Sequence, residues 1–289
     1  MTELTKDTKI LIVGLGVIGG GYAAALTSSG YKHVRCITKN ACDIDYAMER
    51  GMIEFGTTEI DEALIKESEL IVFSLYPHIF IDWVREHRHL FSKGTIITDV
   101  TGVKSNVVLK VQELMPEGVE FISAHPMAGR EKSGVEFSNA EVFKGANYIV
   151  VPTDKNTEIA TNVCISLGKA LGFSKISELT IKEHDEMIAF LSQLTHCIAV
   201  VLMNANEKSG LEKYTGDSFR DLTRIAKINE VMWSELFMLN KDALLSEMDA
   251  FIEKFTLFRK MLNDGDREGM MAEMIKATKR RELFDKPKA

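Results

Sequence analysis

Short apolar runs rich in β-branched residues recur along the first half of the chain, at 10–13, 34–37, 70–73, 95–98, 119–122 and 148–151, separated by stretches long enough for one helix each. Runs this short, without strict polar alternation, fit strands buried on both faces of a parallel sheet with helices as crossovers. A further helix is expected over 156–171 and an edge strand over 174–176. After Thr180 the pattern changes. Residues 180–280 contain no proline, and apolar positions recur at helical spacing, interrupted only by Gly210, Gly216, Gly265 and Gly269. The expected fold class is α/β, with a parallel-sheet domain over 1–178 and an all-helical domain over 179–289.

Between the first strand and its helix lies Gly14-Leu15-Gly16-Val17-Ile18-Gly19, a GxGxxG sequence. Gly14 permits a tight turn, Gly16 lets main chain approach a pyrophosphate, and Gly19 allows close helix–strand packing. The helix start presents unpaired N–H groups and a positive dipole end to phosphate. At the head of an alternating β/α pattern, this motif points to a Rossmann-type dinucleotide-binding domain, with Gly14, Gly16, Val17, Ile18 and Gly19 against the cofactor. Ser74 and Leu75, after the run 70–73, and Asp99, after 95–98, are expected to line the same cleft, because open α/β sheets bind ligands beyond the carboxyl ends of their strands. The second strand ends in Thr38-Lys39-Asn40, with no acidic residue for the ribose hydroxyls of NAD. Thr38 offers a hydroxyl and Lys39 a charge suited to the extra phosphate of NADP, so the cofactor reads as NAD or NADP.

The candidate for chemistry is His125, which follows the run 119–122 and precedes Pro126. The proline biases its backbone towards an extended conformation, holding the imidazole at a strand end. A histidine near its ordinary pKa accepts a proton at neutral pH. In the helical part, Arg220, Arg224 and Lys227 stand at i, i+4, i+7 spacing and form one basic face able to hold a carboxylate. On spacing alone, an exposed face balanced by Asp217, Asp221 and Glu230 is the simpler reading. Gln193 and His196 share a face of an apolar helix, where a hydrogen-bonded core histidine is the default.

Bulk properties narrow the partners. A net charge of -7 argues against a polyanion-binding surface, and thus against nucleic acid. The four cysteines form no CxxC pair or zinc-like cluster, which fits free thiols in a reducing cytoplasm, and no metal site is visible. The polar start lacks the apolar core of a secretion signal, and the apolar stretch at 197–203 is too short to span a bilayer, so no membrane partner is expected. The methionines and phenylalanines of the helical part, among them Met232, Phe237, Met238, Phe251 and Phe255, suggest a homodimer interface, although such a stripe is more often ordinary core.

Five segments occur in order: Gly14-Leu15-Gly16-Val17-Ile18-Gly19-Gly20; Asp99-Val100-Thr101-Gly102-Val103-Lys104; His125-Pro126-Met127-Ala128-Gly129 with Glu131-Lys132-Ser133-Gly134; Glu183-His184-Asp185; and Phe219-Arg220-Asp221-Leu222-Thr223-Arg224-Ile225-Ala226 with Trp233. In this set the chain resembles the prephenate dehydrogenase family, which also covers arogenate dehydrogenases, along nearly all its length. The resemblance implies a nucleotide-binding domain followed by a helical dimerisation domain. It implies oxidative decarboxylation of prephenate to 4-hydroxyphenylpyruvate in tyrosine biosynthesis, with NAD slightly favoured over NADP on family grounds. By the same resemblance His125 matches the catalytic histidine, Arg224 the arginine that binds a substrate carboxylate, and His196 a second histidine of the substrate pocket. Two positions depart from the pattern. Gly102 stands where members often carry serine, and Gln193 where they often carry histidine. Thr101 is the candidate for the missing hydroxyl and Gln193 for a substrate contact. The rival readings are an arogenate dehydrogenase, another two-domain NAD(P)-dependent dehydrogenase of the β-hydroxyacid or imine reductase type, and a non-catalytic NAD(P)-binding redox sensor.

Overall fold

The computed structural model describes residues 3–129 and 134–285. Strands β1 (Lys9–Val13), β2 (His33–Ile37), β3 (Phe55–Thr57), β4 (Leu70–Phe73), β5 (Ile96–Asp99) and β6 (Glu120–Phe121) form a parallel sheet in the order β3-β2-β1-β4-β5-β6. The crossovers are α1 (Val17–Ser28), α2 (Ala41–Glu49), α3 (Glu62–Glu67), α4 (Pro77–His87) and α5 (Val108–Leu114). Alternate residues of β1 face opposite sides: Ile10 and Ile12 join one core with Tyr22 and Leu26 of α1, and Leu11 and Val13 join another with Phe73, Phe80 and Phe121. Both faces are covered, which accounts for the unbroken apolar runs. β3 was not expected from the sequence. It is three residues long, and its Gly56 is demanded by packing, since a Cβ there would sit 2.8 Å from Cys36 Sγ.

The run 119–122 does not end in a loop at His125. Its chain leaves the first sheet after Ile122, whose N–H still bonds Ile97 O at 2.9 Å, and continues as β7 (Ser123–Pro126). β7 pairs antiparallel with β8 (Asn147–Val151), and β8 pairs parallel with β9 (Lys175–Glu178), making a separate three-stranded sheet. His125 therefore sits within a strand, opposite Ile149, and the run 148–151 belongs to this second sheet. The expected helix over 156–171 is α6 (Glu158–Ala170), capped by Thr157.

The remainder is helical among the described residues: α7 (Ile181–Ile188), α8 (Thr195–Asn204), α9 (Asp217–Thr223), α10 (Glu230–Leu239), α11 (Lys241–Asn263) and α12 (Arg267–Glu282). α7 and α8 are one continuous helical run whose middle, Ala189–Leu194, is π-helical, the kind of local widening that often accompanies a functional site. By length and composition this run, Ile181–Asn204, suffices to cross a membrane, with a mean hydropathy of 1.7, contrary to the expectation that no apolar stretch is long enough. Its buried His184, Asp185 and Gln193 are hydrogen-bonded inside the fold. α9 stops at Thr223, and Arg224–Ala226 form a 3-10 turn, so Arg220, Arg224 and Lys227 do not share one α-helical face as their spacing suggested.

Strands give way to helices near the expected 178/179 division, but compactness divides the chain later, into Met1–Lys241 and Asp242–Ala289. α7 to α10 belong with the sheets because buried hydrogen bonds, such as Lys104 N–H to Asp185 Oδ1 at 2.9 Å, tie them there. In the second unit the Phe251 and Phe255 rings stack at 6.0 Å, and Phe255, Met274 and Ile275 are exposed.

Candidate active site

The nucleotide end of the site is built by close approach. Gly14 has φ +94°, and a Cβ added there would lie 2.5 Å from Ser74 O; one added at Gly19 would lie 2.0 Å from Gly14 O. Gly16 has nothing within 4 Å of its Cβ position. The loop is thus packed tightly beneath and open at Gly16, where α1 begins with no side-chain cap and no acidic residue in its first turn. An open glycine at an uncapped helix start, carrying Val17 and Ile18 in the first turn, fits the pyrophosphate of a dinucleotide. Leu75 also packs here, its Cδ2 2.8 Å from the Gly14 Cβ position. Thr38 Oγ1 accepts the Leu15 N–H at 3.3 Å, so its hydroxyl braces the loop, while Lys39 is exposed.

His125 is oriented through a chain of side chains. Its Nδ1 lies 2.9 Å from His184 Nε2, and His184 Nδ1 lies 2.7 Å from Asp185 Oδ1. Asp185 also accepts from Lys104 N–H at 2.9 Å, Ser105 N–H at 2.7 Å and Ser105 Oγ at 2.5 Å. A carboxylate with four donors acts only as an acceptor, so His184 carries its proton on Nδ1 and presents Nε2 as a lone pair. His125 must then donate from Nδ1. Its Nε2 is left as a proton acceptor, and the residue keeps part of its surface accessible. Burial, then the neighbouring His184 and Lys104, hold His125 well below the usual imidazole range. Burial likewise lowers His184, against the opposing pull of Asp185. Burial works to raise Asp185, but the hydrogen bonds from His184 and Ser105 hold it below the carboxylate range.

Beneath this chain lies a fully buried ion pair. Lys104 Nζ is 3.0 Å from Asp99 Oδ2 and donates to Ala124 O at 2.7 Å. Asp99 accepts further bonds from Thr101 N–H at 3.0 Å, from the Thr101 hydroxyl, from Ser123 Oγ at 2.5 Å and from Ala124 N–H at 3.1 Å. This corrects two expectations. Asp99 is buried structure rather than a cleft-lining cofactor contact, and the Thr101 hydroxyl is spent on Asp99 rather than turned towards His125. Both residues clamp the loop after β5 to the strand that carries His125.

The opposite wall is α10. A Cβ at Gly102 would meet Leu236 Cδ1 at 3.6 Å and His125 Cε1 at 3.9 Å, leaving room for a small side chain beside the imidazole. One turn earlier Trp233 stacks on His196 with ring centroids 3.7 Å apart, and His196 Nδ1 bonds Ser192 O at 2.8 Å. Trp233 and Leu236, three residues apart on one helix face, therefore connect His196 to the neighbourhood of His125. Gln193 does not join them. It is buried, its Nε2 donates to Leu236 O at 2.9 Å and its Oε1 accepts from Asn240 at 2.7 Å, so it holds α10 in place. Arg224 is exposed in the 3-10 turn that packs near α8. Glu131, Lys132 and Ser133 lie outside the described residues.

Residues 22–174 match the family model for the prephenate dehydrogenase nucleotide-binding domain, and residues 180–276 match the model for the prephenate dehydrogenase dimerization domain. The chain belongs to the prephenate dehydrogenase family. It is 28% identical over 277 residues to the prephenate dehydrogenase of Bacillus subtilis, covering 92% of this chain and 72% of that protein. It is 26% identical over 274 residues to the cyclohexadienyl dehydrogenase of Zymomonas mobilis, covering 91% and 92% of the two chains. The crystal structure of the Aquifex aeolicus prephenate dehydrogenase, in complex with hydroxyphenyl propionate and NAD+, superposes with a TM-score of 0.89 at 26% identity, covering 98% of this chain and 99% of that one. The family's reaction type is NAD(P)-dependent dehydrogenation of cyclohexadienyl substrates, and the Rossmann domain is consistent with NAD or NADP.

In this family member, sequence reading gave His184, Asp185, Lys104 and Ser105 no part in orienting the base: the stretch ending at Lys104 was expected only to line the cleft and Ser105 at most to cap a helix, although three of the four fall inside the segments that carry the resemblance. Their signal was position. Lys104 follows Val103 in a run leading into a helix, and His184-Asp185 lie in the first turns of a helix, four and five residues after its Thr180 cap. Charged groups at such places need partners, and here they are one another's.

Proposed function

We propose that the protein oxidatively decarboxylates prephenate to 4-hydroxyphenylpyruvate as a step of tyrosine synthesis, reducing NAD+ in preference to NADP+. The observation that carries this reading is the chain from Asp185 through His184 to His125 Nδ1, at 2.7 and 2.9 Å, from which we infer that His125 Nε2 is the acceptor. A base so oriented takes the proton of the ring C4 hydroxyl. When bound, the dinucleotide supplies the hydride acceptor for C4. The ketone formed there is conjugated through the ring to the carbon bearing the carboxylate, so carbon dioxide leaves with its electrons drawn into the ring, which becomes aromatic. His125 supplies the base, Gly16 and the start of α1 hold the pyrophosphate, and His196 on Trp233 forms part of the substrate wall. Arg224 holds a substrate carboxylate by its two-pronged geometry. The exposed apolar side chains of the helical part, Phe255 and Met274 among them, support a homodimer.

The test is cofactor reduction by the purified protein with prephenate and with arogenate, each with NAD+ and NADP+. Prephenate with NAD+ should give the highest kcat/KM, and turnover confined to arogenate would refute the substrate assignment. His125→Asn should lower kcat by roughly 10²-fold or more while dinucleotide affinity is kept. Arg224→Ala should raise KM for the acid far more than for the dinucleotide. Equal effects would remove Arg224 from the substrate site.

A further inference from the structure

We infer that His184 and Asp185 make, with His125, a closed proton store in which the imidazolium charge of the working enzyme rests on His184 beside Asp185 rather than on His125. The inference rests on the reading of His125 as the base. That reaction needs a store. The C4 hydroxyl must lose its proton for the ring ketone to form, and after carbon dioxide leaves, the same oxygen is a phenolate that takes a proton back. The group that removes the proton is therefore best placed to return it.

The geometry provides the path. As His125 Nε2 gains the hydroxyl proton, its Nδ1 proton crosses the 2.9 Å gap to His184 Nε2. One O–H and one N–H bond break, two N–H bonds form, and no electrons change hands. His184 then carries both its protons, with Nδ1–H still on Asp185 at 2.7 Å, and the return to phenolate is the same path reversed. The charges facing the pair decide where the cation rests. From the loop after β5 comes Lys104, repelling a charge on either imidazole; Asp99 of β5 is already paired with that lysine. From α7 comes Asp185, in direct contact with His184 and held by three donors of the loop after β5. The anion not matched by another full charge thus lies next to the second imidazole. His184 has no exposed surface, so water does not reach the stored proton. His184 and Asp185 do not meet substrate in this scheme; they act through His125 as positioning residues.

Single-turnover oxidation in H2O–D2O mixtures tests this. Two protons moving together predict a bowed dependence of the wild-type rate on deuterium fraction. A straight line would overturn the store, and this measurement needs no variant to fold. His184→Gln should straighten the plot, lower kcat by roughly 10²-fold, leave dinucleotide affinity and KM within about two-fold, and move the acid limb of the kcat profile to lower pH, because a basic site has been lost. A variant with the wild-type bow and acid limb would also overturn it. Absence of turnover by the wild type with every acid and dinucleotide pairing would instead overturn the functional reading beneath it.

Discussion

Replacing Lys104 by methionine would keep most of the side-chain volume and remove only the charge and its hydrogen bonds. The ammonium is fully buried, 3.0 Å from Asp99 Oδ2 and 2.7 Å from Ala124 O. Stripping one partner from a buried ion pair costs about 3–5 kcal/mol, because the remaining charge stays buried without its counter-ion. Here Asp99 retains the Thr101 N–H, the Thr101 hydroxyl, Ser123 Oγ and Ala124 N–H, which places the expected loss at the lower end, about 3 kcal/mol. For a unit of this size that corresponds to a fall in Tm of roughly 6–12 °C. The assay is thermal unfolding followed by circular dichroism, with Lys32→Met as control. Lys32 pairs with Asp7 on the surface, and its loss should leave Tm unchanged. If Lys104→Met lowers Tm by less than about 2 °C, the amide and hydroxyl donors alone satisfy Asp99, and the buried cation is not what holds the loop to the His125 strand.

Three further outcomes follow from the same geometry. Gly16→Ala has open space and should fold normally but bind dinucleotide at least roughly tenfold more weakly, whereas Gly19→Ala drives a Cβ to within 2.0 Å of Gly14 O and should lower Tm as well; cofactor fluorescence titration beside thermal melts separates the two, and equal melts would sink the distinction. Gly102→Ser meets only ordinary contacts at 3.6 Å and beyond, so it should change stability by less than about 0.5 kcal/mol and raise kcat by placing a hydroxyl beside His125; a large drop in Tm would mean the gap is not there. Acidification should destabilise the fold through His184, whose folded pKa is below its unfolded value near 6.5, so that the unfolded chain binds protons first as pH falls. That loss is absent above about pH 7, begins near 6.5, and reaches up to roughly 1.4 kcal/mol per pH unit until the folded pKa is met. Urea unfolding at pH 7.5 and 5.5 should therefore show a smaller pH effect in His184→Gln than in wild type, and identical effects would refute the assignment.

What the chain disclosed in advance depended on whether a feature is local. Buried parallel strands leave unbroken apolar runs, and GxGxxG marks a turn in which Gly14 and Gly19 answer to contacts within a few residues or just beyond one neighbouring strand while Gly16 is left open, so β1, β2, β4 and the nucleotide loop were legible. β3 was not, since its pairing is decided by Gly56 under Cys36 and not by three residues of weak pattern. The same limit explains the site. His125 stood out because Pro126 and the apolar run before it are adjacent in sequence, and the family resemblance singled it out too. Its partner His184 is 59 residues away, and Asp185 reaches 80 residues back to Ser105. Asp99 was assigned to the cofactor from its place at a strand end, and Thr101 and Gln193 to the substrate from the family resemblance, but in the fold their polar atoms have protein partners. A polar side chain at a buried position must be hydrogen-bonded by something, and only the three-dimensional neighbours decide whether that partner is substrate or scaffold. By that criterion the loop 99–105 changes its meaning. It braces the base from two sides, through Asp99 and Lys104 to the strand before His125 and through its own N–H groups to Asp185, so a substitution there should act on the base before it acts on any ligand.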